Sequence, residues 1–184
     1  MEDTVCIVAG GGNGLGRAAA LELADHGARV VVNDLGSEVD GTGSDASVPE
    51  AVAREIREAG GEAMAHHGDV SDFGDADDLV SDTVAEYGRV DFVCNFAGIL
   101  RDCISYKLSE DDWREVIETN LTGQFAPLQA SAKHWREASE ERYDFDRQRS
   151  YLAVSAGAAR GSLGQASYAA AKAGVLGMVR TVSN

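Results

Sequence analysis

Residues 4–24 read Thr4-Val-Cys-Ile-Val-Ala-Gly-Gly-Gly-Asn-Gly-Leu-Gly16-Arg-Ala-Ala-Ala-Leu-Glu-Leu-Ala24 and join three kinds of local sequence. Residues 4–9 are apolar and β-branched, which predicts a short buried strand. Residues 10–16 are mostly glycine, and residues 17–24 are strong helix formers. A strand, a glycine-rich turn and a helix in this order begin a parallel α/β sheet, in which N–H groups at the helix N-terminus can bind an anion.

The glycine-rich turn has the composition needed for a pyrophosphate site. Glycines at positions 10, 14 and 16 permit a tight turn and a close approach of the backbone to the phosphates. The strict Gly-x-Gly-x-x-Gly spacing is absent, and residues 14–19 fit only the version that ends in alanine. A flexible glycine loop without a ligand is the alternative, but the strand–turn–helix context favours a binding site. The candidate contacts of a bound dinucleotide in this turn are Gly10, Asn13, Gly14, Leu15 and Gly16.

An acidic residue follows the second predicted strand. That strand covers residues 29–33 and ends at Asp34, which lies about 20 residues beyond the glycine turn. A carboxylate at this distance can accept hydrogen bonds from the adenosine ribose hydroxyls of a dinucleotide. It would repel the 2′-phosphate of NADP, so the sequence favours NAD as the cofactor, with NADP less favoured. Arg17 is the residue that could weaken this preference.

A tyrosine and a lysine stand four residues apart near the other end of the chain, at Tyr168 and Lys172. Residues at i and i+4 share one helix face, so the ammonium is expected beside the tyrosine. A nearby positive charge favours the phenolate and would lower the pKa of Tyr168 from about 10 toward neutrality. A phenol tuned in this way can act as a general acid or base. Taken alone, the spacing also fits a solvated helix pair without function.

Strand and helix patterns alternate along the chain, which predicts an α/β fold, a doubly wound parallel sheet of the Rossmann type with strand order 3-2-1-4-5. We expect further strands at 62–67, 91–95 and 151–155, and helices at 49–59, 73–87 and from 165 onward. A long helix over 110–136 should kink near Asn120, because a glycine and Pro127 interrupt it. Residues 139–149 are predicted to form an exposed polar loop. Residues 1–184 are interpreted as a single dinucleotide-binding domain.

Three further motifs occur in order: Asp69-Val70, Asn95-Phe-Ala-Gly98, and the set Asn120, Ser155, Tyr168 and Lys172. Together with the glycine turn, they resemble the adenine-contacting pair, the Asn-Asn-Ala-Gly motif and the catalytic tetrad of the short-chain dehydrogenase/reductase family. Two positions depart from the family pattern, because Ala9 stands where the family usually has threonine and Phe96 replaces the second asparagine. Beyond the glycine turn and Asp34, the resemblance implies cofactor contacts at Asp69, Val70, Asn95, Ala97, Gly98, Tyr168 and Lys172.

The resemblance implies an enzyme that transfers a hydride between a nicotinamide cofactor and a secondary alcohol or ketone. In that reaction Tyr168 would exchange a proton with the substrate oxygen, and Lys172 would tune the tyrosine and bind the nicotinamide ribose. Ser155 would donate a hydrogen bond to the substrate oxygen. Asn120 would hold the helix kink and a water that relays protons to Lys172. The alternative from another class is an NAD-binding sensor or structural subunit, which would not need the tyrosine–lysine pair.

Three segments carry a narrower resemblance. Residues 32–36, 97–102 and 109–113 are similar to the (3R)-hydroxyacyl-CoA dehydrogenase region of peroxisomal multifunctional enzymes, which implies a 3-hydroxyacyl thioester as substrate. In this family the substrate-covering segments come later than residue 184. The chain is therefore expected to be truncated after the helix that follows strand 5, and to lack the C-terminal substrate-binding portion.

The chain is strongly acidic, with 31 acidic residues, 16 basic residues and a formal net charge of −15. Such a surface repels nucleic acid and anionic membranes, so neither is expected as a partner. Salt would screen the self-repulsion of this surface. The composition, with only three lysines, is similar to that of halophilic cytoplasmic proteins, and an ordinary acidic cytosolic enzyme is the alternative.

Location and assembly follow from other features. Three widely spaced cysteines argue against a disulfide framework and favour a reducing, cytoplasmic location. No apolar run is long enough to span a membrane, and the acidic start is not a signal peptide. His66 and His67 point to opposite faces of a strand, so no metal site is expected. The long helix is apolar on more than one side, which predicts a homodimer or homotetramer.

Overall fold

The computed structural model describes residues 1–142 and 148–183. Five parallel strands form one sheet: β1 (Val5–Ala9), β2 (Arg29–Asp34), β3 (Glu62–His67), β4 (Phe92–Asn95) and β5 (Ser150–Ala153). Their order is β3-β2-β1-β4-β5, which confirms the predicted topology. Because all strands run the same way, their carboxyl ends meet at one edge of the sheet.

Six α-helices occur in the described part of the chain: α1 (Gly14–Asp25), α2 (Ser47–Glu58), α3 (Phe73–Tyr87), α4 (Glu110–Ile117), α5 (Gly123–Arg142) and α6 (Ala166–Val182). The helices cover both faces of the sheet. Alternate residues of a strand point to opposite sides, so each face has its own core cluster. Cys6 and Val8 of β1 pack on one side, in a core cluster that also contains Ala20 of α1 and Ile56 of α2. Ile7 packs on the other side, in a cluster built with α3 and α5. The doubly wound architecture is therefore confirmed.

The long helix predicted over 110–136 is divided into α4 and α5 by a π-helical turn, Glu118–Thr122. The Nδ2 group of Asn120, at the centre of this turn, donates to the carbonyls of Val116, at 3.0 Å, and Ile99, at 2.9 Å. A side chain that takes a carbonyl of the helix ladder opens the helix locally, so the regular α-helix is interrupted where the kink was expected.

The predicted loop over 139–149 is wrong in its first part, because α5 continues to Arg142. Helix-forming residues dominate this stretch, and their propensity outweighs its polarity. Arg149 supports the end of the helix, since its guanidinium donates to the carbonyl of Trp135 at 2.7 Å and to the Ser139 hydroxyl at 2.5 Å. Residues 143–147 of the predicted loop lie outside the described residues.

The segment between β2 and α2, residues 35–46, lies along the carboxyl edge of the sheet. The N–H group of Leu100 donates to the carbonyl of Val39 at 3.0 Å, and Nε of Arg101 donates to the carbonyl of Asp40 at 2.8 Å. The same guanidinium pairs with Asp112, at 2.9 Å, and with Glu115 of α4. Arg101 thus fixes this segment against the loop that follows β4 and against α4.

Candidate active site

A cleft of about 1320 Å³ opens at the carboxyl ends of the strands. Its walls come from the glycine turn, residues 33–45, residues 68–74, residues 96–99 and one face of α4. The cleft spans the boundary between β1 and β4, where the strand order reverses. That is the position at which doubly wound sheets bind their ligands, and the volume exceeds the usual range for drug-sized molecules.

The glycine turn packs closely against its neighbours and leaves the N-terminus of α1 open. A Cβ atom on Gly16 would lie 1.9 Å from the carbonyl oxygen of Gly10, so only glycine lets the helix approach the strand this closely. A Cβ atom on Gly14 would meet no atom within 4 Å, and Asn13 makes no side-chain cap. The first N–H groups of α1 are therefore left for an anion from outside the chain.

Only three of the five residues predicted to contact the cofactor in this turn lie in the cleft wall. Gly10, Asn13 and Gly14 line the cleft. Leu15 is 75 % exposed, and neither Leu15 nor Gly16 belongs to the cleft lining. Gly16 serves the turn through packing and does not reach the cleft.

Asp34 lies in the cleft and also organises its walls. One carboxylate oxygen accepts the N–H of Gly12 at 2.8 Å, and the other accepts the N–H of Gly36 at 2.7 Å. Each oxygen keeps a second lone pair that can accept a ligand hydroxyl. The Arg17 guanidinium is paired with Glu55 of α2 at 2.5 Å, so its charge is directed toward that helix.

Asp69 and Val70 follow β3 and line the cleft. Asp69 Oδ1 accepts hydrogen bonds from the backbone N–H and the hydroxyl of Ser71, at 2.9 and 2.7 Å, which holds the turn after the strand. Val70 is buried, and its side chain lies against the position where a Cβ atom on Gly123 would stand. This turn therefore connects the cleft wall to the start of α5.

Ala97 and Gly98 line the cleft, whereas Asn95 lies behind it. The Asn95 amide donates to the carbonyl of Gly123, at 2.7 Å, and to the hydroxyl of Tyr151, at 2.9 Å. Its Oδ1 atom accepts the N–H of Ala97 at 3.1 Å. The structure therefore places Asn95 as a support of the loop and does not bring it to the cleft.

Phe96, the departure from the family motif, has a packing role. Its N–H group donates to the carbonyl of Ala9 at 2.8 Å, and its side chain packs against the core cluster that contains Cys6 and Val8. Where the family pattern has the amide of an asparagine, Phe96 therefore makes apolar contacts with that face of the sheet.

Sequence reasoning missed the buried hydrogen bonds of Tyr151 and Gln124 beneath this loop. The Tyr151 hydroxyl donates to the carbonyl of Gln124 at 2.8 Å, and burial raises the pKa of Tyr151 well above its usual value. The Gln124 amide donates to the carbonyl of Asn95 at 3.3 Å. A tyrosine within the predicted fifth strand was the available signal, because a buried hydroxyl needs a partner.

Tyr168, Lys172 and Ser155 meet where α6 packs beside the end of β5. Lys172 is only 3 % exposed, and its Nζ atom donates to the carbonyl of Val154 at 3.1 Å. The same atom lies 5.4 Å from the centroid of the Tyr168 ring. The Ser155 hydroxyl donates to the carbonyl of Lys172 at 2.8 Å, which leaves its oxygen free to accept a hydrogen bond.

The predicted lowering of the Tyr168 pKa is wrong for this arrangement. Burial, and then the charge of Asp102, raise the pKa of Tyr168 above its ordinary value. The pKa that moves toward neutrality is that of Lys172, which burial lowers to about 8. The physical reason is position, because the ammonium lies over the face of the ring and donates to the Val154 carbonyl instead of approaching the phenol oxygen.

Asn120 completes the group. Both hydrogens of its amide are used by backbone carbonyls, while Oδ1 is buried and has no hydrogen-bond partner. A Cβ atom on Gly98 would lie 2.5 Å from this oxygen and 3.6 Å from Nζ of Lys172. Asn120 and Lys172 therefore meet across Gly98, and an unpaired buried acceptor at this place indicates a site for a water or a ligand hydroxyl.

His66 and His67 lie near different polar partners. Nδ2 of Asn33 lies 3.1 Å from Nδ1 of His66, and Nε2 of His67 lies 2.9 Å from the Ser44 hydroxyl. Within residues 1–142 and 148–183, no group of three or more His, Cys, Asp or Glu side chains is placed to hold a metal ion. Over the same residues, none of the helices combines the length and the apolarity needed to cross a lipid bilayer.

Comparison with known proteins identifies the family. The family model for short chain dehydrogenases matches residues 4–184. This chain belongs to that family, which confirms the resemblance read from the motifs.

Three similar proteins show which members of the family this chain resembles. Peroxisomal multifunctional enzyme type 2 of Mus musculus is 38 % identical over 97 % of this chain and 23 % of its own length. The 3-oxoacyl-[acyl-carrier-protein] reductase of Synechocystis is 37 % identical over 97 % of this chain and 66 % of its own length. A crystal structure of a short chain dehydrogenase from Mycobacterium avium superposes with a TM-score of 0.89, at 40 % identity, over 97 % of this chain and 61 % of that one. The chain thus spans less than two thirds of the length of each.

Proposed function

We propose that this protein is an NAD-dependent oxidoreductase that interconverts a secondary alcohol and a ketone. The observation that carries the proposal is the grouping of Asn120, Ser155, Tyr168 and Lys172 behind Gly98. Gly98 lines the cleft and lies beside Asn120 and Lys172, while none of the four residues belongs to the cleft lining itself. These residues come from the π-helical turn, from the end of β5 and from α6. Family membership supports the same reading, whereas a non-catalytic NAD-binding role gains no support from the comparisons.

The residues present fit a dinucleotide. The open N-terminus of α1 at Gly14 suits a pyrophosphate, and the Asp34 carboxylate suits the adenosine ribose. A bound nicotinamide would supply the hydride donor or acceptor. Asp69, Val70, Ala97 and Gly98 would form the walls around the bound cofactor, and Asn95 would support them from behind.

Side chains of this protein would donate and accept the proton that is exchanged with the substrate oxygen. Tyr168 would donate its phenolic proton to the substrate oxygen in reduction and take it back in oxidation. The Ser155 hydroxyl would turn from the Lys172 carbonyl to donate to the substrate oxygen and stabilise the charge that develops there. The unpaired Oδ1 of Asn120 would hold a water beside Lys172, so that the proton can pass toward solvent.

NAD is preferred to NADP in this proposal for electrostatic reasons. Seven acidic side chains line the cleft, and they include Asp34, Glu38 and Asp69. Arg17, which could have neutralised a 2′-phosphate, is paired with Glu55. A phosphate at the adenosine ribose would therefore meet negative charge without a nearby free cation.

The proposed substrate class is a 3-oxoacyl or 3-hydroxyacyl thioester. Two of the relatives support it through their names, one a 3-oxoacyl-[acyl-carrier-protein] reductase and the other a peroxisomal multifunctional enzyme. The exposed apolar side chains near the tetrad agree with an acyl substrate, because Leu100, Ile104 and Leu163 project from the loops that flank it.

We extend the proposal to the setting of the enzyme. Residues 1–184 would act as one dinucleotide-binding domain in a cytoplasmic homodimer or homotetramer, with no nucleic-acid or membrane partner. Three free cysteines support a reducing compartment, and the exposed Trp113 and Phe125 on α4 and α5 support a subunit contact. Light scattering tests the assembly, and a monomer would contradict it.

The acidic surface agrees with a halophilic protein, and measuring stability across a salt titration tests that proposal.

The activity is tested with Tyr168→Phe, which keeps the packing of the ring and removes the phenolic hydroxyl. General acid–base assistance is worth about 10²–10⁴-fold, so kcat should fall by that factor while NAD affinity stays nearly unchanged. Tyr106→Phe is the matched control, because Tyr106 is 78 % exposed and lies outside the tetrad. Turnover of secondary alcohols or 3-hydroxyacyl thioesters that survives in Tyr168→Phe would exclude this tyrosine as the proton donor.

A further inference from the structure

A carboxylate and an amide stand beside the tetrad and take no part in the mechanism above. The side-chain amide of Gln165 donates to both carboxylate oxygens of Asp102, at 3.1 and 2.9 Å. Backbone contacts join the same two segments, because the N–H of Cys103 donates to the carbonyl of Gly164 at 2.8 Å and Cys103 forms a parallel bridge with Gln165. The loop after β4 is thus attached to the start of α6, and Asp102 is held in place.

The position of Gln165 brings this carboxylate close to the proposed proton donor. Gln165 is the N-cap residue of α6, and Tyr168 follows three residues later in the first turn of that helix. Gln165 makes no side-chain cap on the helix, since its amide is used by Asp102. The Asp102 carboxylate, which is exposed, is thereby attached to the residue that begins the helix of Tyr168.

The charge of Asp102 is not cancelled by its neighbour in sequence. The guanidinium of Arg101 is paired with Asp112 and Glu115 and donates to the carbonyl of Asp40. Two charged groups then face Tyr168, namely Lys172 from its own helix, 5.4 Å from the ring centroid, and Asp102 from the loop after β4. The negative charge of Asp102 contributes to the raised pKa of Tyr168.

We propose that Asp102, held by Gln165, determines the substrate class of this site by disfavouring carbonyl compounds whose free carboxylate is separated from the reacting carbon by one CH2 group. The inference rests on the proposed oxidoreductase function and narrows it. A free 3-oxo acid whose keto oxygen accepts a hydrogen bond from Tyr168 would carry its negative charge into the field that Asp102 exerts on that tyrosine, and like charges repel. A thioester or ester of the same acid is neutral at that position, so it escapes the repulsion.

A purely structural role for Asp102 predicts different behaviour. An acidic residue held at the N-terminus of a helix, as Asp102 is held at α6, stabilises that helix through its dipole. Removing the charge would then lower the stability of the protein without changing the preference among substrates. Substrate preference and the ionisation of Tyr168 therefore separate the two roles.

The test uses Asp102→Asn, which keeps an oxygen that can accept from Gln165. The kcat/KM values for acetoacetate and for ethyl acetoacetate are measured with NADH. We expect the ratio of acetoacetate to ethyl acetoacetate to rise about three- to tenfold in Asp102→Asn, and this gain to shrink in molar KCl. Asp25→Asn is the matched control, because Asp25 is exposed at the far end of α1 and should leave the ratio unchanged.

A second measurement is independent of turnover. The absorbance of tyrosinate is followed during alkaline titration, with Tyr168→Phe subtracted to isolate Tyr168. The midpoint for Tyr168 should fall in Asp102→Asn, because a neighbouring negative charge has been removed. Reduction of both substrates with an unchanged ratio, or an unchanged midpoint, would overturn the role of Asp102. Failure of the unmodified protein to reduce either substrate would instead overturn the proposed function.

Discussion

Nζ of Lys172 lies 5.4 Å from the centroid of the Tyr168 ring and donates its hydrogen bond to the carbonyl of Val154 at 3.1 Å. The ammonium therefore faces the ring and not the phenol oxygen. Burial lowers the pKa of Lys172 to about 8, while burial and Asp102 raise the pKa of Tyr168. In this arrangement the lysine, and not the tyrosine, titrates closer to neutral pH.

The buried lysine should cost the protein stability. Its pKa of about 8 in the folded chain lies below the ordinary value of 10.5, so the unfolded chain holds more protons between these two values. Stability contributed by this group therefore rises with pH across that window, and the cost is fully present below about pH 8. Lys172→Met should raise the melting temperature near pH 7, by about 2–4 °C for each kcal/mol gained, while activity is lost.

Calorimetry at neutral pH and above pH 10.5 checks this expectation, because the gain should shrink once the lysine is neutral in both the folded and the unfolded chain. Lys107→Met is the control, since Lys107 is exposed and lies outside the tetrad. A lower melting temperature for Lys172→Met at neutral pH would show that its bond to Val154 outweighs the burial of charge.

Gly98 should be intolerant of a side chain. A Cβ atom there would lie 2.5 Å from Oδ1 of Asn120, so Gly98→Ala must displace Asn120 or the loop after β4. Overpacking of this kind typically costs about 1–3 kcal/mol, and cofactor affinity should fall together with kcat. Thermal unfolding and NAD titration measure both effects. Gly157→Ala is the control, because a Cβ atom at Gly157 meets no atom within 4 Å.

Cofactor choice should depend on Asp34 and on the pairing of Arg17. Asp34→Asn should weaken NAD and narrow its advantage over NADP, because charge-assisted hydrogen bonds contribute roughly 1.5–3 kcal/mol each. Glu55→Gln should free Arg17 from its 2.5 Å ion pair and improve NADP binding alone. Calorimetric titration of both cofactors measures these changes. Equal affinity of the unmodified protein for NAD and NADP would contradict the preference.

Salt should strengthen both the fold and cofactor binding. The chain carries a net charge of −15, and among the described residues seven acidic side chains and no Lys, Arg or His line the cleft. Molar KCl reduces the Debye length to about 3 Å, so repulsion of the pyrophosphate and self-repulsion of the surface should both weaken. The Kd for NAD should fall and the melting temperature should rise between low and molar KCl.

Sucrose separates screening from a general osmolyte effect, because it stabilises compact states without screening charge. If KCl leaves both the Kd and the melting temperature unchanged, the protein behaves as an ordinary acidic enzyme. A loss of NAD affinity with salt would indicate that attraction between the pyrophosphate and the N-terminus of α1 outweighs repulsion by the acidic side chains.

The sequence by itself determined the order of the sheet and the position of the site along the chain. The β-branched runs, the glycine turn and the alternation of periods are local signals, and the handedness of βαβ crossovers converts them into the order 3-2-1-4-5. The resemblance of short motifs to the short-chain dehydrogenase/reductase family gave the candidate tetrad, and the spacing from Ser155 to Tyr168 and Lys172 agrees with it. The kink at Asn120 was equally local, because a glycine and a proline follow it.

The tertiary structure alone decided the electrostatics of that site. Whether Lys172 lowers the pKa of Tyr168 depends on the burial and direction of its ammonium, and the carbonyl that holds it lies 18 residues away in the chain. The unpaired Oδ1 of Asn120 and the Asp102–Gln165 contact, across 63 residues, arise where separate strand ends meet. Desolvation and contacts between distant segments exist only once the sheet has brought those segments together, so no local pattern encodes them.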